Sequence, residues 1–273
     1  MTNRSCPPRA LTVAGSDSGG GAGIQADLIT FQNFGCFGMS AVTALTAQNS
    51  VGVTGVFKVT GEFVRSQMEA VLEDIGVDAL KCGMLADSEI IRAVAEVLER
   101  YPGPPLVLDT VLVAKSGDPL LEDEAVEVMV AKLFPRALVI TPNAAEARRL
   151  VGFEVKDEET MHRAAKVLRE MGARGVLVKG GHLKGDKLVD LLALPDGQIR
   201  LFGGERIDTP HTHGTGCTLS AAIAACLARG LGLEDAVILG RDYVINGILK
   251  SFPTGRGYGT LGHEPFTQRL REF

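Results

Sequence analysis

The stretch His211-Thr212-His213-Gly214-Thr215-Gly216-Cys217-Thr218-Leu219-Ser220 joins a turn of small residues directly to a long Ala-rich run. Gly214 and Gly216 let the chain turn tightly and bring its N–H groups to a ligand with no Cβ in the way. Leu219, Ile223, Cys226 and Leu227 then recur at helical spacing. The N–H groups of 214 to 217 therefore fall at a helix N-terminus, where the dipole and the unsatisfied donors favour an anion such as phosphate. Cys217 stands in that field. A helix start stabilises thiolate, so the sequence predicts a thiol easier to ionise than a free one, able to act as base or nucleophile. The same ten residues also fit a glycine turn that merely caps a buried helix, with Cys217 packed as a small hydrophobe.

At the other end of the chain, the apolar run Ala10 to Ala14 stops at Gly15-Ser16-Asp17-Ser18-Gly19-Gly20-Gly21-Ala22-Gly23. That is a buried strand entering a glycine loop, and Ile24, Leu28, Phe31 and Phe34 give the following helix its apolar face up to Gly35. Gly21-x-Gly23-x-x-Ala26 matches the loose dinucleotide fingerprint. That fingerprint needs an acid about twenty residues further on, and none stands between Phe37 and Gly61, so no nicotinamide or flavin site is expected.

Strands are predicted over Phe37 to Gln48, Val51 to Val59, Val77 to Cys82, Leu106 to Val111, Leu138 to Asn143 and Gly175 to Val178, with a hairpin of Leu188 to Leu194 and Gln198 to Ile207. Helices are predicted over Glu62 to Gly76, Ser88 to Tyr101, Ala144 to Val151, Glu158 to Gly172, 218 to 229 and Glu234 to Phe252. Strand and helix alternate almost throughout, so the expected fold is α/β, a three-layer αβα sandwich around one mostly parallel sheet. A single domain over 10 to 273, preceded by a loose arm at 1 to 9, fits a chain of 273 residues.

The formal net charge of -5 is not gathered into a long run of either sign, so nucleic acid is not an expected partner. Five cysteines without a Cys-x-x-Cys pair point to reduced thiols, and the absence of an apolar signal core or membrane-length run points to a cytoplasmic protein with no membrane partner. No Gly-x-x-x-x-Gly-Lys-Ser/Thr occurs, which excludes a P-loop nucleotide site, and the His and Cys spacings do not suggest zinc.

Three charged residues stand where open α/β sheets keep their sites, at the C-terminal ends of strands. Asp109 ends Leu106-Val107-Leu108, Glu146 lies one turn inside the helix after Thr141-Pro142-Asn143, and Lys179 ends Val176-Leu177-Val178. Asp109 and Glu146 together suit a hydrated Mg²⁺, which keeps several waters and uses few carboxylates. For each acid alone, a structural pairing is the alternative.

The His211–Ser220 stretch, the opening Gly15-Ser16-Asp17-Ser18-Gly19-Gly20-Gly21-Ala22-Gly23-Ile24-Gln25-Ala26-Asp27, Ala47-Gln48-Asn49 and Thr141-Pro142-Asn143-x-x-Glu146 together resemble the hydroxymethylpyrimidine and phosphomethylpyrimidine kinases, a ribokinase-like branch with pyridoxal kinase relatives. Sugar kinases of that superfamily usually carry Asp where this chain has Cys217. The resemblance implies an ATP- and Mg²⁺-dependent kinase of thiamine biosynthesis, acting on an aminopyrimidine alcohol and then on its monophosphate. Cys217 would be the base, Gly214, Thr215 and Gly216 the phosphoryl cradle, and Lys179, Asn143 and Gly181 the nucleotide contacts, with metal at Asp109 and Glu146. Gly15, Asp27, Gln48, Met84 and Val111 would bind substrate, Asp27 at the hydroxymethyl or ring edge. By its own composition, apart from the resemblance, the polar loop Ala114 to Pro119 could close over a substrate, and its Lys115 either reaches a phosphate or stands as a solvated lysine. A homodimer is also implied. The alternatives are a pyridoxal kinase, alone or as a dual activity, and a non-catalytic vitamin-binding protein on the same fold; Gln48 speaks against pyridoxal as sole substrate.

Overall fold

The computed structural model describes residues 6–112, 121–180 and 187–271. Among these, β1 (Arg9–Asp17), β2 (Phe37–Gln48), β3 (Val53–Lys58), β4 (Ala79–Cys82), β5 (Leu106–Leu108), β6 (Ala137–Ile140), β7 (Val176–Val178), β8 (Lys187–Ala193) and β9 (Ile199–Glu205) form one sheet, ordered β3-β2-β1-β4-β5-β6-β7-β8-β9. The run from β2 to β7 is parallel, and β3, β8 and β9 add antiparallel flanks.

Successive residues of the central strands point into two separate cores. Leu11, Val13, Leu80, Cys82, Leu106, Leu108, Ile140, Val176 and Val178 face α2 (Gly61–Ala70), α3 (Ser88–Arg100), α4 (Asp123–Lys132), α5 (Ala144–Val151) and α6 (Glu158–Glu170). Their neighbours Ala10, Ala79, Val107, Val139 and Leu177 face α1 (Gly23–Asn33), α7 (Thr215–Ala228) and α8 (Leu233–Leu249). Strands buried on both sides explain the near-continuous apolar runs in the sequence and give the three-layer α/β sandwich expected from it. Among the described residues no helix is long and apolar enough to cross a membrane.

Departures from expectation have local causes. The helix α4 was not expected: Val126, Val128 and Val130 alternate like a strand, but the buried set Ala125, Val128 and Met129 has helical spacing. β1 does not stop at Ala14 but continues past a register shift, pairing Ser16 with Leu45 and Asp17 with Thr46. The expected loose arm does not include Arg9, whose backbone N–H donates to Asp78 Oδ2 at 2.8 Å and whose guanidinium pairs with the same carboxylate. The helix α2 ends in a π turn over Val71–Ile75.

Candidate active site

Each parallel strand delivers its last residue to the same edge of the sheet. Asp109 follows β5 and donates its N–H to Cys82 O, Thr141 follows β6 and donates its N–H to Leu108 O, and Lys179 follows β7 with its N–H on Pro142 O. The side chains converge. Thr141 Oγ1 donates to Asp109 Oδ1 at 2.9 Å, Lys179 Nζ donates to the same oxygen at 3.2 Å, and Ser220 Oγ, one turn inside α7, donates to Oδ2 at 3.1 Å. Burial opposes the charge of Asp109, but Lys179 and Lys81 outweigh it and hold the carboxyl below its usual range.

Glu146 completes this cluster through a capping box. Asn143 Oδ1 accepts from Ala145 and Glu146 N–H, while Glu146 Oε2 accepts from Asn143 N–H at 2.9 Å. The carboxyl is buried, and that burial, reinforced by the nearby charge of Asp109, pushes it up to about 7 although Lys179 pulls the other way. Two buried carboxylates thus share one ammonium. A donor set short of positive charge fits a divalent cation that uses few protein ligands, although the described residues contain no cluster of three or more His, Cys, Asp or Glu able to hold a metal by themselves.

The helix α7 begins opposite this cluster. Gly214 is its N-cap at φ 83°, with no side-chain cap, and Gly21 O packs so closely on Gly214 that no Cβ fits. A Cβ at Gly216 would lie 3.5 Å from Lys179 Nζ and 3.7 Å from Asp109 Oδ2, so the first turn of α7 faces the lysine and the acid directly. The backbone donors at this end, including those of Thr215, Gly216 and Cys217, are presented by a helix whose body, Thr218 to Ala228, is wholly buried between the sheet, α1 and α8.

Cys217 is partly exposed at this helix start, and its ionisation runs against the sequence-based expectation. Burial pushes the thiol up to about 11; Lys81 opposes the rise, and Asp27 and Asp109 add to it. The helix end alone does not make this thiol acidic, because the sulfur is desolvated and two carboxylates lie near it.

Asp27 also departs from expectation. It is fully buried, both its oxygens accept from Lys81 Nζ at 2.9 and 2.7 Å, and Thr12 Oγ1 donates to Oδ2 at 2.6 Å. A carboxylate so enclosed does not present itself to a substrate. Lys81 and Thr12 were missed in the sequence, although a lysine in the apolar run Val77 to Cys82 is the kind of charge that burial requires to be paired.

A second group forms around Gln48. Its Nε2 lies 3.4 Å from His213 Nε2, and its Oε1 accepts from Thr46 Oγ1 at 3.2 Å. His213 Nε2 is 2.9 Å from Asp17 Oδ2, and Asp17 also accepts from Gly19 and Ala22 N–H. Burial opposes the charge of Asp17, but the His213 contact and these N–H groups hold its carboxyl below the usual range. The segment 252 to 260 ties the turn before α7 to the chain just past β2: Gly259 N–H donates to His211 Nδ1, His213 N–H to Gly259 O, Tyr258 N–H to Ser50 O and Gly257 N–H to Ser50 Oγ. Met84 packs its methyl on Gly15, while Val111 sits just past Asp109, its N–H on Asp109 O. Gly181 and the loop Ala114 to Pro119 with Lys115 lie outside the described residues.

The sequence matches the phosphomethylpyrimidine kinase family over residues 17–262. It is 44% identical over 263 residues to the hydroxymethylpyrimidine/phosphomethylpyrimidine kinase of Haemophilus influenzae, covering 95% of this chain and 98% of that one. The protein of the same name from Rhizobium meliloti is 49% identical over 257 residues, covering 93% of this chain and 96% of the relative. Among solved structures, an ADP complex of Bacillus subtilis pyridoxal kinase superposes with a TM-score of 0.88 at 39% identity, covering 97% of this chain and 99% of that chain. With a match that runs through the glycine loop, the strand-end acids and the α7 turn alike, this chain belongs to the phosphomethylpyrimidine kinase family.

Proposed function

We propose that the protein transfers the γ-phosphoryl group of ATP to the hydroxymethyl group of 4-amino-5-hydroxymethyl-2-methylpyrimidine, and then phosphorylates the monophosphate product, in thiamine biosynthesis. The observation that carries this reading is the convergence of an uncapped helix start, Lys179, Asp109 and Cys217 on one edge of the sheet. Phosphoryl transfer asks a protein mainly for positioning and for positive charge around the migrating group, and this edge supplies both. A binding protein has no use for a lysine and a helix start aimed at the same point.

The N–H groups at 214 to 217 cradle the migrating phosphoryl, and Lys179, anchored on Asp109, offsets its charge. Asp109 and Glu146 would hold a Mg²⁺ ion, which would supply further neutralisation of the nucleotide phosphates. Cys217 receives the proton of the substrate hydroxyl. Because its thiol is pushed up to about 11, the thiolate is a minority form near neutrality. Positioning therefore contributes more than proton removal, and kcat should climb with pH across the range in which the thiol ionises. Gln48, offering donor and acceptor beside His213, suits the aminopyrimidine edge, with Met84 and Gly15 against the ring.

The likeness to pyridoxal kinase favours a second reading, phosphorylation of pyridoxal. ATP consumption with the pyrimidine alcohol, its monophosphate and pyridoxal, under one set of conditions, tests both. Turnover of both pyrimidines well above that of pyridoxal is expected; turnover of pyridoxal alone would overturn the first reading. A homodimer belongs to the same proposal. The exposed Leu45, Val53, Val56 and Phe57 of β2 and β3 support it, and sedimentation velocity reads it directly.

A further inference from the structure

The side chain of Gln48 stands between two neighbours whose own hydrogen bonds are already committed. On one side, His213 Nε2 lies 2.9 Å from Asp17 Oδ2. A carboxylate that takes Gly19 and Ala22 N–H can only accept again, so this ring nitrogen carries its proton and donates it. On the other side, the Thr46 hydroxyl has one proton, and Ser16 O takes it at 2.8 Å, closer than the 3.2 Å to Gln48 Oε1. Thr46 Oγ1 is left with lone pairs to offer Gln48, and His213 with an N–H.

The backbone holds Gln48 in this position. Ser18 Oγ donates to Gln48 O at 2.7 Å and accepts from its N–H at 2.8 Å, where the β2–β3 register shifts between Ala47 and Gln48. A Cβ at Gly21 would lie 2.6 Å from His213 Cδ2, so bare backbone of the glycine loop backs the imidazole. The amide is thus fixed in place, and its partners decide which end is oxygen. With nitrogen toward His213, two N–H groups would face each other across 3.4 Å. Turned over, every donor meets an acceptor: Nε2 donates to Thr46 Oγ1, and Oε1 faces the His213 N–H.

That polarity matches one edge of the pyrimidine. His213 immediately precedes Gly214, the N-cap of α7, so the oxygen end of the amide is the end nearer the phosphoryl cradle. The aminopyrimidine carries its amino group on the carbon next to the one bearing the hydroxymethyl group, with ring N3 one atom farther away. When the alcohol points at α7, the amino group comes to Oε1 and N3 to Nε2. Each amide atom then serves one protein neighbour and one ring atom.

We propose that His213, held by Asp17, and Thr46 are specificity-determining positioning residues: they fix which way the Gln48 amide points, and so select a ring with a donor beside the reacting group and an acceptor beyond it. The inference rests on the pyrimidine-kinase reading of the site.

The test compares kcat/KM for the 4-amino pyrimidine alcohol with that for its 4-oxo analogue, in which a carbonyl replaces the amino group and position 3 carries N–H, so that the edge is reversed at nearly the same shape. The parent should favour the amino ring by about a hundredfold, two mismatched hydrogen bonds at about tenfold each. His213→Leu and Thr46→Val each release one end of the amide, which then turns over to suit the oxo ring, and the preference should fall by about tenfold in each. His213→Gln, which keeps an N–H donor, and Thr46→Ser, which keeps the hydroxyl, should stay within about threefold of the parent. A purely structural loss lowers both turnovers together and leaves their ratio alone. An unchanged ratio in either folded variant, His213→Leu or Thr46→Val, overturns the proposal, and Thr46→Val decides it if His213→Leu does not fold. A parent that turns over neither ring overturns the pyrimidine-kinase reading and this inference with it; a parent that turns over the amino ring without preferring it to the oxo ring overturns this inference alone.

Discussion

Two lysines reach the same edge of the sheet from strands three positions apart, and they are built in opposite ways. Lys81 is closed: neither it nor Asp27 has any exposure, and burial is outweighed by Asp27, which holds the ammonium above its usual range. Lys179 is open: its side chain keeps 15% exposure, it shares Asp109 with Thr141 and Ser220, and it serves Glu146 as well. The closed pair has its charges balanced before any ligand arrives. The open cluster has one cation for two carboxylates beside an uncapped helix start, so its charges are not balanced within the cluster. The difference separates a charge paired inside the fold from charges left short of a partner at the sheet edge.

The sharpest break of this contrast is Lys179→Met. Removing the open lysine should lower kcat/KM for ATP by about a thousandfold, the scale of losing a charge that stabilises a transferring phosphoryl group. A loss below tenfold in steady-state kinetics would place Lys179 with the structural charges instead. Next in size, Cys217→Ala should lower kcat by about a hundredfold with the pyrimidine KM nearly unchanged, since a base acts in the transition state. Equal kinetics for variant and parent would take the thiol out of the mechanism.

A smaller effect tests the shortage of positive charge at Glu146. Its folded value, about 7, lies above the usual 4.5, so the folded state holds the proton more tightly and this group's contribution to stability falls as pH rises from about 4.5 to 7. In chelator-treated protein, Glu146→Gln should remove that slope and raise Tm at pH 8 relative to the parent, as followed by thermal melts at several pH values. An unchanged slope would mean that Glu146 already has the charge it needs. The smallest expected change is Ser50→Ala, which removes the acceptor of Gly257 N–H and loosens the 252 to 260 segment. At about 1 kcal/mol for one hydrogen bond, the pyrimidine KM should rise by about fivefold with kcat unchanged; an equal loss in Tm with no change in KM would make that segment purely structural.

The layered α/β architecture was legible because its causes are local. Alternating apolar runs and amphipathic helices repeat along the chain, and Gly214, Gly216 and the strand-end acids announce themselves by type and position. The helix α4 escaped because its valines mimic a strand. The enclosure of Asp27 escaped for another reason: it depends on Lys81, 54 residues away and brought to it only by the register of β1 on β4. By itself the sequence determined which elements form, α4 apart, and placed a glycine-led helix start, acids and a lysine at the ends of elements. Only the tertiary structure decided which carboxylates gather beside Lys179 and which is locked on Lys81, and whether the thiol is acidic. Desolvation and pair charges depend on distances across the sheet, and no spacing along the chain encodes them.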